Sequence, residues 1–180
     1  MCDFLSGWIN VRTHETAVAT LRSHSNDQTL LGWKAADLVD WREWEWLQDD
    51  DGESLTVRTH PDDNGIGPAL KTELLVRWKT RSDAILDCIP RMHPSVTTLN
   101  LWGATVPEKL KIPNSVTTLD LGGATVPEKL KIPNSVTTLD LWGATVPEKL
   151  KIPNSVTTLY LGGATVPEKL AIPKGAKVLR

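Results

Sequence analysis

The chain has 180 residues, a net charge of −2, 40% hydrophobic and 23% charged content, and eight tryptophans against one Tyr and one Phe. That length holds one domain or two small ones, and the composition suits a soluble globular protein. No segment approaches the roughly 20 apolar residues of a membrane span, and Cys2 and Cys88 are too few and too far apart to read as a disulfide framework or a zinc site.

The N-terminal stretch lacks a basic region and a long apolar run, so no signal peptide is expected and a reducing cytoplasm is the default. Residues 1–94 read as a small α+β domain. Phe4, Leu5, Trp8, Ile9 and Val11 predict a strand. Ser25-Asn26-Asp27 predicts a helix start, with a short helix through Leu30, Leu31 and Trp33. The tryptophan-rich run 38–47, the turn 49–52 and the run 54–59 predict a β-hairpin. Pro68 sits well at a helix start, and Leu70, Leu74, Trp78, Ile85 and Ile89 place one helix from there toward Cys88, ended by Pro90 and Pro94. Such a helix would cover the open edge of whatever sheet follows.

Residues 95–180 are a different object. One twenty-residue unit is written four times, starting at Ser95, Ser115, Ser135 and Ser155, and the second copy reads SVTTLDLGGATVPEKLKIPN. A degraded fifth start, IPKGAKVL, occupies 172–179. A fixed period of this length predicts a solenoid. Val96, Leu99, Leu101, Ala104, Val106, Leu110 and Ile112 recur in every copy, the predicted core. Strict alternation through TTLDLW predicts a short strand whose leucines face inward and whose Thr98, Asn100 and Trp102 face outward. Pro107 and Pro113 leave no room for a helix, so the return arm is extended or a single tight turn. One coil cannot bury enough to stand alone, so the copies are stable only as an array.

Charge divides along the same boundary. Residues 1–94 carry ten Lys+Arg and sixteen Asp+Glu, net −6, whereas residues 95–180 carry ten and six, net +4. Opposite fields of this kind help two halves dock.

The phrase VTTLNLWGATV (96–106) resembles the leucine-rich repeat segment LxxLxLxxNxL. The VPEKLKIPNS arm resembles the short bacterial class of that repeat, found in secreted effectors of the YopM and IpaH type, and the IPNSVT phrase resembles FNIP repeats. The resemblance covers 95 to about 179. It implies a parallel β-sheet on a concave face and a recognition role without catalysis, and it leaves export by a signal-less route open. One departure stands out. The asparagine that ladders backbone hydrogen bonds in this family is replaced by Ala104, Ala124, Ala144 and Ala164. The backbone of that turn must find other partners, with Thr105 and its equivalents, or water, as candidates. The opening MCDFLSG and the tryptophan-rich hairpin resemble small N-terminal domains of bacterial and prophage repeat proteins, which implies a bacterial or phage origin.

Candidate chemistry is sparse. Cys2 as an N-terminal nucleophile would need a much larger sheet sandwich. His14, His24, His60 and His93 lack HxH or HxxxH spacing. Asp49, Asp50, Asp51, Gly52 and Glu53 lack the twelfth-position acid of a calcium loop. No GxSxG context and no glycine-rich phosphate loop occurs. We therefore expect no catalytic, cofactor or metal site. Lys109, Lys129, Lys149 and Lys169 form one column on the return arm and Lys111, Lys131 and Lys151 another, with Glu108, Glu128, Glu148 and Glu168 between them. Without interleaved aromatics they read as a solvated face, not a nucleic-acid groove.

The sharper feature is the outward column Trp102, Gly122, Trp142, Gly162, beside the column Asn100, Asp120, Asp140, Tyr160. Tryptophans two coils apart stand ~10 Å apart. Two readings stay open: a shelf that holds a flat ring, a sugar face or a partner side chain, or indoles folded over the neighbouring glycines as packing. The near-identity of the copies points to recent amplification or consensus construction. The expected fold is thus α/β: a leucine-rich-repeat solenoid, residues 95–180, capped by an N-terminal α+β domain, residues 1–94. The expected function is non-catalytic binding of a protein partner at Asn100, Trp102, Asp120, Asp140, Trp142 and Tyr160, with a small aromatic or carbohydrate ligand as the alternative.

Overall fold

The computed structural model describes residues 5–18, 31–49, 52–58 and 66–180. The chain divides into two compact units, Met1–His93 and Pro94–Arg180.

In the first unit a four-stranded antiparallel sheet, order β2-β1-β3-β4, is built from β1 (Ser6–Asn10), β2 (Thr16–Ala17), β3 (Trp41–Asp49) and β4 (Gly52–Arg58). The hairpin expected at 38–59 is β3 and β4, whose pairing runs from Glu43↔Arg58 to Asp49↔Gly52. Ile9, Trp44, Trp46 and Leu55 are buried, and α1 (Ile66–Arg77) packs against β4.

The single helix expected from Pro68 to Cys88 is two. After α1 the chain breaks at Trp78, and α2 (Arg81–Cys88) begins anew. The cause is local: the Thr80 hydroxyl accepts a hydrogen bond from the Asp83 N–H at 3.1 Å, an N-cap that starts a helix where the apolar period alone would continue one. Asp87 ties the pieces together, since one carboxylate oxygen accepts from Trp78 Nε1 at 2.9 Å and pairs with Arg77 at 2.9 Å and Arg91 at 2.7 Å. Of the short helix expected through Leu30, Leu31 and Trp33, Leu30 lies outside the described residues, and Leu31 and Gly32 form a turn, the latter at φ +70°. Its expected start at 25–27 lies outside the described residues. Five of the eight tryptophans form two ring clusters in this unit: Trp44 meets Trp78 at 4.9 Å, and Trp33 lies 6.0 Å from Trp8 and 4.3 Å from Trp41.

Cys88 is buried in this unit, and burial pushes its thiol from 9.0 up to about 12. The unfolded chain therefore surrenders this proton first. The group's contribution to stability is complete below pH 9.0 and falls as pH rises toward 12. We expect Cys88 to escape iodoacetamide at pH 8 in the native protein and to react in urea, read by peptide mass spectrometry; native labelling would contradict its burial.

The second unit is a β-solenoid. Its strands β5 (Thr98–Asn100), β6 (Thr118–Asp120), β7 (Thr138–Asp140), β8 (Thr158–Tyr160) and β9 (Lys177–Leu179) form one parallel sheet in chain order, in register at twenty-residue steps as far as β8. Three hydrogen-bonded turns close the first coil: Ala104 N–H to Leu101 O, Leu110 N–H to Pro107 O and Val116 N–H to Pro113 O, each at 3.1 Å. The return arm is more regular than its sequence implied. Parallel bridges join Thr105↔Thr125 and Lys111↔Lys131, and recur in the next coils. Each proline opens a turn as its acceptor, where its missing N–H leaves nothing unpaired. Leu99, Leu101, Leu119, Leu121, Leu139 and Leu141 are fully buried.

A hydroxyl ladder also runs along the array, with Thr117 Oγ1 donating to Thr97 O, Thr137 Oγ1 to Thr117 O and Thr157 Oγ1 to Thr137 O, each at 3.3 Å. On the return arm Lys129 pairs with Glu108 and Lys149 with Glu128, each at 3.1 Å. Among the described residues, no helix is long and apolar enough to cross a membrane.

Candidate functional site

The site is the outward face of the β5–β9 sheet and the turn that follows each strand. Gly103, Gly123, Gly143 and Gly163 all lie near φ +60 to +65°. The turn from Leu101 to Ala104 needs a left-handed residue at its third position, and glycine takes it without a Cβ penalty. The residue before, Trp or Gly in alternate copies, is free of that demand.

The backbone of this turn is satisfied in a way the sequence reading missed. The side-chain oxygen of Asn100 accepts from the Trp102 N–H at 2.8 Å, Asp120 from Gly122 at 2.9 Å and Asp140 from Trp142 at 2.8 Å. These are Asx turns. The Thr105 column contributes through its backbone instead, with Val106 N–H donating to Thr125 O and Thr125 N–H to Ala104 O. The signal was present in sequence as Asn or Asp two residues before the Trp-Gly or Gly-Gly pair.

This corrects part of the expected site. Asn100 is 5% exposed and Asp120 7%, so both are turn-forming residues withdrawn from the surface. Asp140 is half-buried and holds its own turn. Along the same column only Tyr160, 37% exposed, stands out as a surface group.

The tryptophans are also not ~10 Å apart. The ring centroids of Trp102 and Trp142 lie 5.4 Å apart at 20°, a stacked pair. A Cβ on Gly122 would collide with the six-membered ring of Trp102, and one on Gly162 would lie 2.6 Å from Trp142 Cδ1. Each indole therefore lies across the glycine of the next coil, and the lean brings Trp102 up to Trp142. No slot for a third ring remains between them. Trp102 is half-buried, while Trp142 keeps 52% exposure. Leu179, absent from the sequence-predicted site, pairs in register with Tyr160 and is half-buried. Trp142, Tyr160 and Leu179 thus belong to successive strands or their exits, and give the outward face an apolar C-terminal half.

Gly122→Ala and Gly123→Ala separate the two glycine roles. At Gly122 the added methyl displaces the Trp102 ring, with an expected cost of about 1–3 kcal/mol and a shifted Trp102 indole N–H resonance. At Gly123 the methyl has room but the φ of +60° is strained, costing about 1–2 kcal/mol with the indole resonance in place. Urea titration and nitrogen-15 spectra of both variants provide the check. An unmoved Trp102 signal in Gly122→Ala would contradict the packing described.

Neither a family model, nor a curated protein, nor a solved structure matches the chain.

Proposed function

We propose that the array is a non-catalytic protein-binding module of the leucine-rich-repeat kind, which captures a partner on the outward face of β5–β9 with Trp142 as the anchor and Trp102, Tyr160 and Leu179 around it. The observation that carries this reading is the 52% exposed indole of Trp142, backed by the stacked ring of Trp102. A large aromatic fixed by stacking loses little conformational freedom on binding, and such residues dominate interface energetics. The module needs no cofactor and performs no chemical step. It suits a bacterial or phage protein that works in the cytoplasm or is exported as an effector. A sugar or aromatic ligand is less well served, because the stack closes the gap that would have sandwiched it.

The test compares wild-type and Trp142→Ala full-length chains. Proteins captured by the wild type should be lost from the variant, and titration with sugars and aromatic compounds should leave tryptophan fluorescence unchanged. Saturable quenching by a small ligand, or identical capture by both chains, would overturn the reading.

A further inference from the structure

Columns buried in the earlier coils are partly uncovered in the last one. Ala104, Ala124 and Ala144 are buried but Ala164 is half-buried; Val106, Val126 and Val146 are buried but Val166 is half-buried. Ile112, Ile132 and Ile152 are followed by a half-buried Ile172. On the strand side, Leu99, Leu119, Leu139 and Leu159 are fully buried, whereas Val178, next in that column, is half-buried. A groove of 430 Å³ lies here, lined in part by Leu161, Ala164, Val166, Leu170, Ile172 and Arg180.

The same end presents backbone polar groups. The Lys177 N–H donates to Thr157 O and Leu179 O accepts from the Leu161 N–H, both at 2.8 Å. Residues 177 and 179 therefore face β8. In a parallel ladder the intervening residue faces the other way. The N–H and C=O of Val178 point to a side on which no strand pairs among the described residues.

Charge selects the occupant. Residues 171–180 carry Lys174, Lys177 and Arg180 and no Asp or Glu, all three basic residues are exposed, and they outnumber Glu168, the acidic residue in the groove lining. A second β9 aligned against the first would set like charges beside each other, which is destabilising. We propose that the β9 edge is a docking site for an extended acidic segment of a partner protein, added as a further strand of the sheet. Its acidic residues meet Lys174, Lys177 and Arg180. Its backbone bonds Val178, and its apolar residues cover Val178 and the groove at Ala164 and Val166. Backbone pairing gives such strand addition its affinity, and alternate side chains give it specificity. The β9 edge adjoins the outward face at Leu179, but its pairing and charged groups are Val178, Lys174, Lys177 and Arg180.

The probe is a fluorescein-labelled peptide of four Glu-Val pairs, titrated with the full chain and followed by anisotropy, with a Lys-Val peptide of equal length as control. The acidic peptide should bind about tenfold tighter or better, and lose affinity as salt rises. Val178→Pro removes the edge amide and should weaken binding about tenfold. The double variant Lys174→Glu, Lys177→Glu should do the same while leaving the backbone intact, so a disturbed β9 in the proline variant does not spoil the test. Equal affinity for the two peptides, no binding by the wild type, or undiminished binding by the double variant would overturn the proposal. So would dimerisation in sedimentation that Val178→Pro abolishes, because the edge would then belong to a second copy.

Discussion

Leu121→Ala and Leu141→Ala are each expected to destabilise the array by about 2–5 kcal/mol. Both leucines are fully buried at the exit of a central strand, with coils stacked on either side. Truncation removes three buried carbon atoms and leaves a cavity that neighbours cannot fill, because the adjacent coils hold their own leucines in register. A solenoid this short has few interfaces over which to spread the loss, so at the upper end of that range the whole array unfolds. Lys129→Glu is the control. Its partner Glu108 is well exposed, and an exposed pair contributes about 0–1 kcal/mol. Urea denaturation followed by circular dichroism, with hydrogen exchange on the array amides to separate the two units, measures all three. A loss below about 1 kcal/mol in either leucine variant would mean that the strand register is wrong.

The parts of the fold that were legible are those in which a residue's type fixes its own conformation. Leucines alternating with Thr and Asp placed β5 to β8 and their inward columns, because a strand side chain has only two directions to take. Pro107 and Pro113 marked turns because they forbid a helix between them. What was not legible depended on where a side chain leans once its direction is set. Trp102 does point outward, but an indole is long enough to reach the next coil; the alternation left both a shelf and a fold over the neighbouring glycine open, and the structure takes the second. Gly122 and Gly162 were the hint, since their vacant Cβ positions are the space the rings use. Asp120 likewise points outward by period yet folds back on the Gly122 amide, so a carboxylate that reads as surface is a turn element. In the first unit Thr80 and Asp83 carried a cap signal, hidden inside an apolar pattern that runs straight through it. Leu179 escaped the site because aligning IPKGAKVL with IPNSVTTL puts it in the inward leucine column, whereas the last step is one residue short and pairs it with Tyr160.

Trp142→Ala and Trp102→Ala should now behave differently, although the repeat makes them look equivalent. Trp102 is half-buried and lies over Gly122. Its loss uncovers that turn and removes the ring on which Trp142 stacks, so a drop of about 1–3 kcal/mol in stability is expected. Trp142 exposes 52% of its surface. Its removal costs the stack about 0.5–1.5 kcal/mol, a smaller change, but takes away the anchor. If the proposed binding face is correct, affinity for the partner falls by about 2 kcal/mol or more, roughly thirtyfold. Trp102→Ala should bind more weakly only to the extent that Trp142 loses its support, and Trp102→Phe, which keeps a ring to stack on, should recover most of that loss. Melting temperature and partner affinity measured on the three variants decide between anchor and packing. An unstable Trp142→Ala chain that still binds at full strength when folded would make both tryptophans packing residues and remove the aromatic face from any role in recognition.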